Sequence, residues 1–139
     1  MTEKPLLAQS KLHHVGVLVD HSESSSDLYR MFGYKKAGSF EDTSNNARIT
    51  LLTSLSGPTI ELIEPLSPDP EAGIGFGNRP GPYHCCFEVV DLKKAIETLE
   101  SEGFRVIVAP KPALSFGGRH VSFLWSQKVG MIELLEASR

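Results

Sequence analysis

TIELIEP, residues 59–65, is nearly written again as MIELLEA, residues 131–137. Each copy places an acidic residue inside a run that otherwise reads as buried strand. A carboxylate in a core is costly unless it is paired or faces a cation. The recurrence is one of several. LHHVGVLV (12–19) is answered by PYHCCFEVV (82–90), and the helical stretches that follow stop at Gly33-Tyr34 and at Gly103-Phe104. An arginine then opens a strand in both ARITLL and GRHVSFLW. The offsets are 70 for His14/His84, 70 for Gly33/Gly103 and 72 for Glu61/Glu133, so the landmarks hold register within two positions. That is an internal repeat.

Local patterns agree with it. In DLKKAIETLESEG, Asp91 can cap a helix whose apolar stripe is Leu92, Ala95, Ile96 and Leu99, and Gly103 supplies the stop. SESSSDLYRMFG reads as the matching helix, with a serine cap and Leu28, Met31 and Phe32 expected inward. Each half therefore reads as strand, helix and then two or three strands, most simply βαβββ. The reading is one α+β domain over 1–139: a first βαβββ module at 11–64, a Pro/Gly-rich linker at 65–82 and a second module at 83–137. Two such sheets bury their apolar faces by packing together, which would enclose a cleft between the copies.

Composition excludes several classes. With 40% hydrophobic and 22% charged residues the chain can form a core, so global disorder is not expected. A net charge of −3 without a Lys/Arg cluster argues against a nucleic-acid partner. No apolar run reaches the roughly eighteen residues of a membrane span. No secretory h-region opens the sequence, so the expected address is cytoplasmic. Cys85 and Cys86 are adjacent, fit a reducing compartment and are expected to be small buried residues.

The repeat makes His14 equivalent to His84 and Glu61 equivalent to Glu133, with His-to-Glu separations of 47 and 49 residues. Period-two alternation turns Glu61 away from Ile60 and Leu62, while Glu64 sits at the strand end as an inexpensive exposed charge. The same logic selects Glu133 over Glu136. Two imidazoles and two carboxylates are a plausible donor set for a divalent ion such as Ni, Co, Zn or Mn. Four donors on an ion that accepts six leave room for a bidentate oxygen substrate, and such an ion stabilises an enolate.

These residues carry a resemblance. LHHVGVLV, IELIEP, YHCCFEVVDLKKAIETLESEGF and GRHVSFLWSQKVGMIELLEA resemble the vicinal oxygen chelate superfamily, over residues 11–137. The nearest branch looks like methylmalonyl-CoA epimerase and glyoxalase I-like proteins. The resemblance implies paired βαβββ modules in an open, cup-shaped mixed sheet around a metal, the glyoxalase-like fold. His14, Glu61, His84 and Glu133 match the four ligands in order, and Glu133 or Glu61 would shuttle the proton. Arg48, Thr50, Arg119 and His120 are candidates for binding a substrate carboxylate or thioester. The second ligand is typically Gln in the epimerases and Glu in many bacterial glyoxalases. The epimerases also carry a catalytic glutamate on an earlier strand, where this chain offers Arg48 and Thr50, with Glu41 expected in a loop.

The implied function is a metal-dependent lyase, isomerase or epimerase, removing a proton beside a polarised carbonyl of a small thioester or hemithioacetal, in a homodimer. Two alternatives stand beside it. A non-catalytic, resistance-type binding protein would commonly lack the four ligands. An Fe-dependent dioxygenase would prefer two His and one carboxylate.

Overall fold

The computed structural model describes residues 7, 9–67 and 80–138. The first copy runs β1 (Lys11–Leu18), α1 (Ser22–Arg30), β2 (Lys35–Asp42), β3 (Ala47–Thr53) and β4 (Thr59–Pro65). The second runs β5 (Gly81–Val89), α2 (Leu92–Ser101), β6 (Arg105–Pro112), β7 (His120–Ser126) and β8 (Gly130–Glu136). Both copies are βαβββ, with strand orders β2-β3-β4-β1 and β5-β8-β7-β6. In each, the first and last strands run parallel and the other pairs antiparallel. Of the linker expected at 65–82, Pro65 closes β4 and Gly81 and Pro82 open β5, while 68–79 lie outside the described residues. Two compact units divide the chain, His14–His84 and Met1–His13 with Cys85–Arg139. No described helix is long and apolar enough to cross a membrane.

In the second unit α2 forms as its sequence dictates. The Asp91 carboxylate accepts from the Lys94 amide at 3.0 Å, satisfying a donor the first turn would leave bare. Leu92, Ala95 and Ile96 are buried with Val89, Leu124 and Leu134, and Leu99 and Phe104 pack against them. Gly103 takes φ +97°, which lets the Phe104 amide reach back to the Leu99 carbonyl at 3.1 Å.

The first helix ends the same way. Gly33 has φ +91° and the Tyr34 amide donates to Tyr29. Its inward face differs from the expected one. Leu28, Met31 and Phe32 are exposed, while Ser22 and Ser26 are buried and Tyr29 packs on Val17, Val19, Leu52, Ile60 and Leu62. The cause is a long-range cap. The His21 side chain makes no capping bond, and the Ser22 amide and hydroxyl both donate to Glu64 Oε1, at 2.7 and 2.8 Å. These two hydrogen bonds hold Ser22 against the sheet, on the face where Tyr29 also packs. Met31 and Phe32 fall beyond its last residue. Glu64, expected as a free surface charge, is thus a staple between β4 and α1. Arg48 lies 3.6 Å from its other oxygen.

The two faces of each sheet have separate tasks. In the first unit Val17, Leu52, Ile60, Leu62 and Glu64 face α1, and Leu18, Ala47, Ile49 and Ile63 form a second cluster on the opposite face. In the second unit Ile132 and Leu134 face α2, and Cys86, Val121 and Leu135 cluster on the other side. Cys85, by contrast, is exposed.

Burial raises the Glu64 pKa, but the two Ser22 bonds and Arg48 outweigh it and hold the pKa below its ordinary 4.5. The stability Glu64 contributes is present above pH 4.5 and is lost as pH falls through the lowered folded value. Glu64→Ala should therefore destabilise the protein by about 1–2 kcal/mol in urea unfolding at neutral pH, the loss of a helix cap. The gap from wild type should narrow in acid, below pH 4.5.

Candidate metal centre

Glu61 and Ile63 point to the face of β4 opposite α1, and on β1 the same face takes His14, Gly16 and Leu18. The parallel register sets Gly16 beside Glu61 and Leu18 beside Ile63, so His14 and Glu61 share a face one step apart. His84 enters from the start of β5 and completes the group within the His14–His84 unit.

The three side chains converge. His14 Nε2 and His84 Nε2 are 3.2 Å apart, with the rings edge-to-face at 80°. The Glu61 carboxylate divides between them, Oε2 at 3.5 Å from His14 and Oε1 at 3.9 Å from His84. All three are buried, His14 completely. Each imidazole brings one ring nitrogen to a common point, and a ring nitrogen that carries no proton there offers its lone pair to a cation. Nitrogens bound to one ion at about 2.1 Å, at tetrahedral to octahedral angles, stand about 3.0–3.4 Å apart. The two ring nitrogens match that spacing, and the three side chains together could hold a divalent cation.

Glu133 belongs to the other unit. It is buried on β8, in register with Cys86 of β5 and Phe123 of β7, on the face away from α2. His14, His84, Glu61 and Glu133 are the only buried histidines and carboxylates among the described residues. The alternation that separated Glu61 from Glu64 and Glu133 from Glu136 is thereby visible in the side-chain environments.

The candidate substrate residues are placed otherwise. Arg48 and Thr50 lie on the α1 face of β3, opposite the donors. Arg48 pairs with Glu41 at 3.0 Å, and buried Thr50 lies 3.4 Å from the Ser39 hydroxyl. Glu41 is in strand β2 rather than in a loop, directly across from Arg48 on that same face. Asp42, one residue on, caps a short 3₁₀ turn by accepting from Asn45 and Ser44. Arg119 donates to Glu88 at 2.8 Å and to the Glu136 carbonyl at 3.2 Å, and Lys11 adds a second cation to Glu88. Arg119 holds the Glu88 pKa below its ordinary value against the opposing effect of burial. His120 Nδ1 lies 3.4 Å from Glu136. A groove of about 740 Å³ on the α2 side is lined by Leu92, Ile96, Pro110, His120 and Glu136. It opens on the face opposite Glu133 and holds none of the buried donors, so the chemistry is read from the donors and not from the groove.

Residues 13–123 match the family model of the Glyoxalase/Bleomycin resistance protein/Dioxygenase superfamily. The chain belongs to this superfamily. Among curated relatives, an ethylmalonyl-CoA/methylmalonyl-CoA epimerase of Cereibacter sphaeroides is 30% identical over 82% of this chain and 87% of its own. The mitochondrial methylmalonyl-CoA epimerase of Dictyostelium discoideum is 29% identical over 91% and 78%. The methylmalonyl-CoA epimerase of Mycobacterium tuberculosis, a solved structure, superposes with TM-score 0.76 over 100% and 94% of the chains at 23% identity. The two βαβββ copies are thus the glyoxalase-like fold of this superfamily.

One signal in the sequence went unused. Gly16, two residues after His14, has the His84 ring in the space a Cβ would take. Removing a donor should show directly in metal uptake. Cobalt titration followed by calorimetry should give one equivalent bound to the wild type. Glu61→Ala should weaken it by at least about 100-fold, the upper end of what loss of an outer-shell partner costs.

Proposed function

We propose that this protein is a divalent-metal-dependent epimerase of a 2-substituted malonyl thioester. The observation that carries the reading is the burial of two histidines and two glutamates, related by one repeat, with no other histidine or carboxylate buried among the described residues. The epimerase relatives support the substrate class, since both act on acyl-CoA thioesters by name.

His14, Glu61, His84 and Glu133 are the residues that would hold the ion. Three of them converge within one unit. Glu133 joins them in the proposal through its equivalence to Glu61 in the repeat. A bound divalent cation polarises a carbonyl oxygen and acidifies the adjacent C–H. The chain's own part is proton transfer. A carboxylate takes the proton from C2, and the same carbon regains one on its opposite face, so the configuration inverts and no atom is gained or lost. Glu133 and Glu61 are the carboxylates proposed for these transfers. Their burial excludes water, which strengthens each charge interaction along the way.

A second reading is a glyoxalase I-like lyase acting on a hemithioacetal. Glu61 favours it, standing where the family resemblance leads one to expect Gln in an epimerase.

Proton NMR in deuterium oxide separates the readings. Metal-loaded protein should wash out the C2 proton of methylmalonyl-CoA or ethylmalonyl-CoA faster than buffer does, and should scramble its configuration. Conversion of a methylglyoxal–glutathione hemithioacetal without C2 exchange in the malonyl thioesters would establish the lyase. No exchange in any of them, with metal demonstrably bound, would overturn both.

A further inference from the structure

We propose that Gly16 is a positioning residue: the missing side chain on β1 is the space in which the His84 imidazole stands. This deepens the proposed function and rests on its donor set. A Cβ built on Gly16 would lie 2.7 Å from His84 Nε2 and closer still to Cε1 and Nδ1. Real carbon atoms do not approach so near, so any side chain at 16 must displace the ring. Backbone conformation does not explain this glycine. Gly16 lies mid-strand and is not among the residues with positive φ, and a strand glycine without a role is a net weakness.

Its place in the sheet explains it instead. Gly16 is in parallel register with Glu61 and two residues from His14, on the same face of the strand. Removing the side chain at this one position lets the third donor drop in beside the other two. The imidazole cannot yield without leaving its place. It is buried, packed edge-to-face with Tyr83 at 4.6 Å between ring centroids, and in contact with His14. The second copy carries Cys86 at the position 70 residues on, a small and fully buried side chain. Both copies keep this strand position small, and only the first leaves it empty.

A double-mutant cycle in metal-free protein tests the collision. Gly16→Ala should lower the melting temperature in the wild-type background. With His84→Ala the same change should cost nothing or raise it, because the ring it strikes is gone. An equal drop in both backgrounds, or failure of both Gly16→Ala proteins to fold, overturns the proposal. Folding of the double variant alone supports it.

Two further readouts separate positioning from mere stability. The His84 imidazole resonances should shift in Gly16→Ala while those of the exposed His21 and His120 stay fixed. Cobalt affinity should fall by at least about tenfold, the lower end of the effect expected when a ligand's orientation is lost. Unmoved His84 resonances with full cobalt affinity would refute the role. If wild-type protein takes up no cobalt at all, the functional reading fails, and the stability cycle still decides the role of Gly16.

Discussion

The constraint on which the rest depends is the burial of Glu61 between the His14 and His84 rings. A carboxylate with so little exposure loses hydration worth several kcal/mol, which its buried surroundings must offset. The sheet is arranged around that cost. β1 and β4 run parallel in a register that aligns Gly16 with Glu61, and apolar Leu18, Ile49 and Ile63 close the same face beyond it. A divalent cation held by His14, Glu61 and His84, as proposed here, converts the cost into the driving force for binding. The more thoroughly the donors are dried, the more tightly they hold a charge of the opposite sign.

The other face of each sheet carries a different kind of electrostatics. Glu64 caps α1 from the end of β4, Arg48 is shared between Glu41 and Glu64, and Arg119 bridges Glu88 and the Glu136 backbone. The largely exposed Arg48–Glu41 pair contributes little to stability by itself, whereas the Glu64 cap holds α1 to β4 and Arg119 ties β5 to β8. Two glutamates three residues apart on β4 therefore have unrelated places, one buried beside His14 and His84 and one as a helix staple. Strand alternation alone separates them.

The repeat register, the βαβββ order, the α2 stripe with its Asp91 cap and the burial of His14, Glu61, His84 and Glu133 were legible in the sequence, because each rests on a period or a spacing. The phase of α1 was not. Offset by 70, the α2 stripe Leu92, Ala95, Ile96 and Leu99 falls on Ser22, Ser25, Ser26 and Tyr29, and that face is the one turned inward. Apolar periodicity followed Leu28, Met31 and Phe32 instead, since serines in a buried stripe carry no hydrophobic signal. Partners distant in sequence were equally invisible: Glu64 to Ser22 spans 42 residues and Arg119 to Glu88 spans 31. A charged side chain reads the same whether it meets a substrate or a neighbouring strand. Gly16 was missed because a single strand glycine gives no hint of which ring needs its space.

The most direct test of the central claim is anomalous diffraction at the cobalt edge from crystals grown with saturating cobalt. The donors described here predict one strong peak about 2.0–2.2 Å from His14 Nε2, His84 Nε2 and a Glu61 oxygen. A structure in which the two rings keep their 3.2 Å nitrogen-to-nitrogen contact, with no anomalous density among the three side chains, would contradict it.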